Sequence, residues 1–152
     1  MPKKEVPLDH LRNYLPPGTL DPVTAYLSDH KVHLTIARER SSILGDYRHR
    51  TDHTHHRISV NGNLNQYSFL VTLLHELAHL LTFEQYGRRV QPHGTEWKMI
   101  FGKLLQQFLS TTNGSTKVFP EDIEKELLRS LQDPAASSCL RTGPSPNSRA
   151  VP

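Results

Sequence analysis

The sequence predicts an α+β fold: a short antiparallel β-sheet packed on one long helix that carries a His-Glu-x-x-His segment, with further helices around it. A leucine-rich run from Gln66 to Tyr86 has helical length and closes on Gly87. Two short runs, Val32-Leu34-Ile36 and Ile58-Val60, alternate apolar and polar residues with the period of a half-buried strand. At 152 residues the chain can build one domain with a real core and is too short for two large ones. The expected organisation is N-terminal helices over 1–30, the main domain over 31–131 and a disordered tail over 132–152.

Pro7 to Leu15 reads as a short amphipathic helix stopped by Pro16-Pro17-Gly18. Asp21-Pro22 pairs an N-cap with Pro at the first helical position and opens a second helix through Val23, Tyr26 and Leu27. The first strand follows over Val32–Ala37. Gly45-Asp46 is a turn signal leading to a second possible strand, and Ile58-Val60 ends in the turn pair Asn61-Gly62. Asn65 can cap the long helix. A loop over Arg88–Pro92 precedes a helix from Thr95 to about Leu109, with Trp97, Ile100, Phe101, Leu104, Leu105 and Phe108 on its packing face. Phe119-Pro120-Glu121 starts a last helix with two acids in its first turn. From Asp133 the chain is rich in Pro, Ser and Ala with few large apolar residues, as in segments that build no core.

The stretch that carries chemistry is His75-Glu76-Leu77-Ala78-His79. Residues four apart lie one turn above each other on a helix, so both imidazoles can reach one Zn²⁺ at about 2.0–2.1 Å. Glu76 projects about 100° away from His75. From there it can serve as the general base without being a ligand. The plain alternative is a buried helix with two hydrogen-bonded histidines. Burying a carboxylate without a partner costs several kcal/mol, about the scale at which a charge partner is needed. His93, in Val90-Gln91-Pro92-His93-Gly94-Thr95-Glu96-Trp97, is a third candidate ligand, and three protein ligands plus water is the open arrangement of a catalytic zinc.

Composition narrows the setting. The single cysteine, Cys139, excludes an intrachain disulfide framework and a Cys-based zinc ribbon within this sequence. Met1–Glu5 has no following apolar run and nothing approaches the length of a membrane span, so a soluble cytoplasmic protein without a membrane partner is expected. A net charge of +3 points weakly to any partner. Lys31, Arg38, Arg40, Arg48, Arg50 and Arg57 outnumber Glu39, Asp46 and Asp52 in one segment, which reads either as a nucleic-acid contact or as a solvated strand face.

These segments resemble the SprT-like family, a group of zincin-fold metallopeptidases. The resemblance rests on His75–His79, on Pro92-His93-Gly94-Thr95-Glu96-Trp97-Lys98 and on the strand before the metal helix. It is similar to the bacterial branch, where a Gly-Asp-Tyr-Arg segment, here Gly45–Arg48, and an Asn-x-x-Leu-Asn segment, here Asn61–Asn65, lie upstream. It covers roughly Lys31 to Leu131. The resemblance implies a small zincin-like domain, one zinc ion on His75, His79 and His93, and water activation by Glu76. A eukaryotic branch, Spartan, digests proteins crosslinked to DNA, which bears on this chain by analogy only. Many relatives continue into a further region, whereas this sequence ends in its Pro/Ser-rich stretch.

Two functions from different classes fit. One is a zinc-dependent peptidase acting on protein or peptide, with an edge strand near Val32–Ala37 or Ile58–Val60 holding the substrate. The other is a non-catalytic, zinc-stabilised module binding nucleic acid or protein, with the basic segment as its surface. Glu76 favours the enzyme, since a purely structural site has no need of a base. Secondary candidates are the cluster His49, His53, His55 and His56, read as a solvated hairpin. Tyr47 and Tyr86 are possible oxyanion donors, Glu96 a possible support for His93, and Trp97 a core residue.

Overall fold

The computed structural model describes residues 8–109 and 118–132, so the expected tail after Asp133 lies outside the described residues. A 3-10 helix, Leu8–Asn13, stands where an α-helix to Leu15 was expected. Helix α1 spans Leu20–Asp29 with Thr19 at its N-cap rather than Asp21; the Thr19 hydroxyl is spent on Pro16 O at 2.7 Å. Strands β1 (Val32–Ala37), β2 (Gly45–Arg48) and β3 (His56–Asn61) follow, and then α2 (Gln66–Tyr86), α3 (Thr95–Gln106) and α4 (Glu121–Gln132). This is an α+β arrangement.

The sheet is mixed, not antiparallel. Its order is β1-β3-β2, with β1 parallel to β3 (Val32 opposite His56, Ala37 opposite Asn61) and β2 antiparallel to it (Gly45 opposite Val60, Arg48 opposite Arg57). Alternation along a strand tells which side chains share a face, but it carries no information on strand direction. The chain leaves β1, forms the far edge as β2 and returns to insert β3 between them. Gly45-Asp46 is therefore the start of a strand rather than a turn, and β3 is central rather than an edge.

Helix α2 is capped as the sequence implies: Asn65 Oδ1 accepts from the N–H groups of Tyr67 and Ser68 at 3.0 and 2.9 Å. At the other end Gly87 takes φ +67°, and its N–H bonds Phe83 O at 2.7 Å, although its ψ of −142° lies outside the left-handed helical region. Between the caps, every residue from Ser68 to Ala78 is buried, with Leu80 and Thr82. Such a helix is enclosed on most sides. The β2 and β3 strands cover one side, and α3 packs on another. Leu11, Leu15, Val23 and Leu27 join the same apolar core as Leu34, Ile58, Leu73 and Phe101. Helix α3 ends at Gln106, and Gln107–Leu109 tighten into bonds to residues three back, which still buries Phe108 and Leu109. No described helix is long and apolar enough to cross a membrane.

Contact between β2 and α2 depends on one missing side chain. A Cβ on Gly45 would lie 2.7 Å from Thr72 Cγ2, 3.1 Å from Ser59 O and 3.2 Å from Glu76 Oε2. Two of these neighbours, a β-branched helical side chain and a strand carbonyl, cannot easily give way. Gly45→Ala should therefore destabilise the fold by about 1–3 kcal/mol, the usual scale for overpacking. Urea denaturation checks this, and a change below about 0.5 kcal/mol would contradict the close approach.

Candidate metal centre

Three imidazoles converge. His75 and His79, one turn apart on α2, each place Nε2 3.1 Å from Nε2 of His93. One ligand atom from each lies within 4.8 Å of the others, so the three histidines could hold a metal ion. Ligand nitrogens bound at 2.0–2.1 Å around a tetrahedral ion sit about 3.3 Å apart, so the observed spacing fits that donor set. Among the described residues no other group of His, Cys, Asp or Glu meets this geometry. In particular, His49, His53, His55 and His56 do not.

His93 reaches the helix histidines from a tight turn. The N–H of Gly94 bonds Gln91 O at 3.0 Å, Pro92 stands at the second position, and His93 at the third has φ +60°. Pro followed by a residue with positive φ is the signature of a type II turn, where the third position favours Gly. A histidine there bears a left-handed conformation that costs about 1–2 kcal/mol. In return, its ring lies against the other two.

Trp97, the floor of the site, has more than the core role expected of it. Fully buried, it packs against His75 (ring centroids 4.6 Å), His79 (5.4 Å) and His93 (4.8 Å), and stacks on Phe101 at 4.9 Å. Its Nε1–H also points to His75 O at 3.4 Å. One indole thus restricts all three imidazoles, and it stands four residues after His93 because α3 begins directly at the turn. Glu76 is 3 % exposed and lies beside Gly45, under β2. Glu96 sits in the first turn of α3, where an acid suits the helix dipole.

The two tyrosines bond elsewhere. The Tyr86 hydroxyl accepts from Gln85 Nε2 at 3.3 Å. The Tyr47 hydroxyl meets His56 Nδ1 at 3.0 Å; burial, then the nearby Glu84 charge, raises its pKa well above the ordinary phenol value. His56, expected on a solvated hairpin, is instead buried. Its Nδ1 also accepts from the Arg50 N–H at 3.1 Å, so Nε2 carries the proton and donates to Glu84 Oε2 at 3.2 Å. His30 Nδ1 meets the other oxygen of Glu84 at 2.8 Å. No spacing rule would have found this network, because its members come from the end of α1, from β2, β3 and α2.

Burial lowers the His56 pKa from its ordinary 6.5, outweighing the pull of Glu84. The unfolded chain then takes up a proton before the folded one does. The neutral histidine's contribution is therefore fully present above that ordinary value and is lost as pH falls below it. His56→Gln should be less stable than the parent near neutral pH and lose less stability on acidification. Denaturation midpoints measured across that range check both, and parallel curves would contradict the assignment.

The similarity to known proteins covers the segments that carry the three histidines. The SprT-like family model matches residues 21–118, which include all of β1 to α3. Protein SprT of Serratia proteamaculans (strain 568) is 48% identical over 50 residues, 32% of this chain and 29% of that protein. Protein SprT of Glaesserella parasuis serovar 5 (strain SH0165) is 61% identical over 31 residues, 20% of this chain and 19% of that protein. These stretches thus span less than a third of the relatives' own length. No solved structure matches the chain. With the family model covering well over half of the sequence, the chain belongs to the SprT-like family.

Proposed function

We propose that this protein is a zinc-dependent peptidase in which His75, His79 and His93 hold one zinc ion and Glu76 is the general base. The observation that carries the reading is the convergence of three Nε2 atoms at a helix whose next residue after His75 is a buried carboxylate that is not one of the converging ligands. A zinc ion there would supply Lewis acidity, polarising the scissile carbonyl and acidifying a water. The rest of the chemistry belongs to the chain. Glu76 accepts the proton of the attacking water on a carboxylate oxygen and returns it to the departing amine nitrogen, so water adds across the C–N bond.

The sheet supports one placement of the substrate. β3 has neighbours on both sides, so the edge available beside Glu76 is that of β2, whose first residue touches the carboxylate. An extended protein segment pairing with β2 would run past the site by adding a strand. This supports a protein or peptide substrate.

Glu76→Gln keeps size and shape and removes the base. Zinc content should remain near one per chain, while cleavage of an unfolded protein substrate should fall by about 10²–10⁴-fold. Equal cleavage by both proteins would sink the mechanism. Zinc binding without cleavage by either would favour the alternative, a zinc-stabilised module binding nucleic acid or protein. His93→Gly removes a ligand at a backbone position that favours glycine. Relief of about 1–2 kcal/mol of strain should offset much of the lost packing, so the variant should stay folded while elemental analysis finds its zinc gone. Full zinc in that variant would remove His93 from the ligand set.

A further inference from the structure

Beyond the metal centre, the C-terminal end of α2 carries a cavity of about 590 Å³ lined by Arg50, Phe83, Glu84, Tyr86, Arg88 and Arg89, among others. Three arginines therefore line one hollow. Among the described residues none of the three pairs with a carboxylate; arginine–carboxylate ion pairs form at Arg48–Asp46 and Arg129–Glu126 instead. Glu84, the carboxylate lining the cavity, is already engaged by His30 and His56. Two of the arginines are held by neutral groups. Arg88 Nη2 donates to His49 Nε2 at 2.8 Å, the His49 ring stacks on Phe83 at 4.4 Å, and Arg89 Nε donates to Tyr86 O at 3.1 Å. These contacts orient the guanidinium groups without neutralising them, and a planar fork of donors in that state suits a carboxylate.

The cavity also lies in line with the edge of β2. Along that strand and the residues after it, contacts advance along α2: Gly45 at Thr72 and Glu76, Tyr47 at His56 beside Phe83, His49 on Phe83, then Arg50 in the cavity wall. Five residues of extended chain cover about 16 Å at roughly 3.3 Å each. A segment paired with β2, with its reacting bond at Glu76, therefore brings a side chain about four to five residues away to the arginines.

We propose that the Arg50–Arg88–Arg89 cavity is a specificity subsite that takes the carboxylate of an Asp or Glu side chain about four to five residues from the bond that is cut, so that the protein selects acidic segments. This rests on the peptidase reading. The surroundings favour an isolated acid over a nucleic acid strand. An adjoining cavity of about 550 Å³, sharing Arg50 and Glu84, is lined by Asp29 and Asp52 as well as Lys31. A polymer with a charge on every unit would run into those carboxylates, and single-stranded nucleic acid is bound by continuous basic grooves with open aromatic faces. Here Phe83 is already covered by His49.

The test is binding of two fluorescent peptides, identical except for Glu or Gln at that position, to the zinc-loaded full chain carrying Glu76→Gln. The acidic peptide should bind about tenfold more tightly, the scale of a charge-assisted hydrogen bond. Adding Arg88→Gln and Arg89→Gln should reduce the contrast to under twofold and leave the neutral peptide's affinity unchanged. Equal binding of the two peptides, no binding of either, or a contrast that survives the double substitution would overturn the proposal. So would oligothymidylate that binds more tightly than the acidic peptide, displaces it and depends on the same arginines. Because the readout is binding, it separates from turnover. Contrast without cleavage by the parent chain would fault the peptidase reading alone, and cleavage without contrast would fault the subsite alone.

Discussion

A helix enclosed on most sides must carry two imidazoles and a carboxylate, and that constraint places the rest of the molecule. Polar groups of this kind are costly in an apolar interior unless each is given a partner. The chain meets the demand from two directions. From one side the turn at Gln91–Gly94 brings His93 to the helix histidines, with Trp97 beneath them. From the other, β2 comes so close that only hydrogen fits on Gly45, and the strand backbone closes over Glu76. Both approaches are short in sequence and rigid, which is how a site is held to within a fraction of an ångström.

The same helix serves two polar clusters of opposite character. Near its middle the imidazoles face one another and leave room for a cation. Two turns further on, Glu84 receives His30 and His56, and the arginines gather beyond it. The first cluster gathers donors whose lone pairs share one target. In the second, the proton positions follow from the bonds: Nδ1 of His56 accepts, Nε2 donates, and the carboxylate is satisfied. A satisfied network rigidifies its surroundings. It also ties β3 and the residue after α1 to α2.

Much of this was legible in the sequence, and the rest was hidden for physical reasons. The long helix was readable from Asn65 to Gly87 because a cap, an apolar run and a glycine agree on its limits. The ligand candidates were readable because spacing on a helix fixes geometry, and His93 follows in a loop too short to wander. Strand direction was not readable, since periodicity names a face and nothing more. The burial of His56 is hidden in the sequence because its neighbours His53 and His55 are exposed, and a run of polar residues conceals the one that turns inward.

Two residues break local rules, and both lie at the candidate site. Gly45-Asp46 looks like a turn because glycine usually serves backbone freedom. Its use here is the absence of a side chain against Thr72 and Glu76. His93 occupies a backbone conformation that favours glycine and keeps a side chain nonetheless. The two exchanges are mirror images. Where packing on the helix needs space, the chain gives up a side chain within a strand; where the centre needs a donor, it accepts backbone strain within a turn. Sequences agree with local preference wherever nothing else is asked of them. Departures on both sides of one pair of helical histidines mark where the demands of the tertiary structure override local preference.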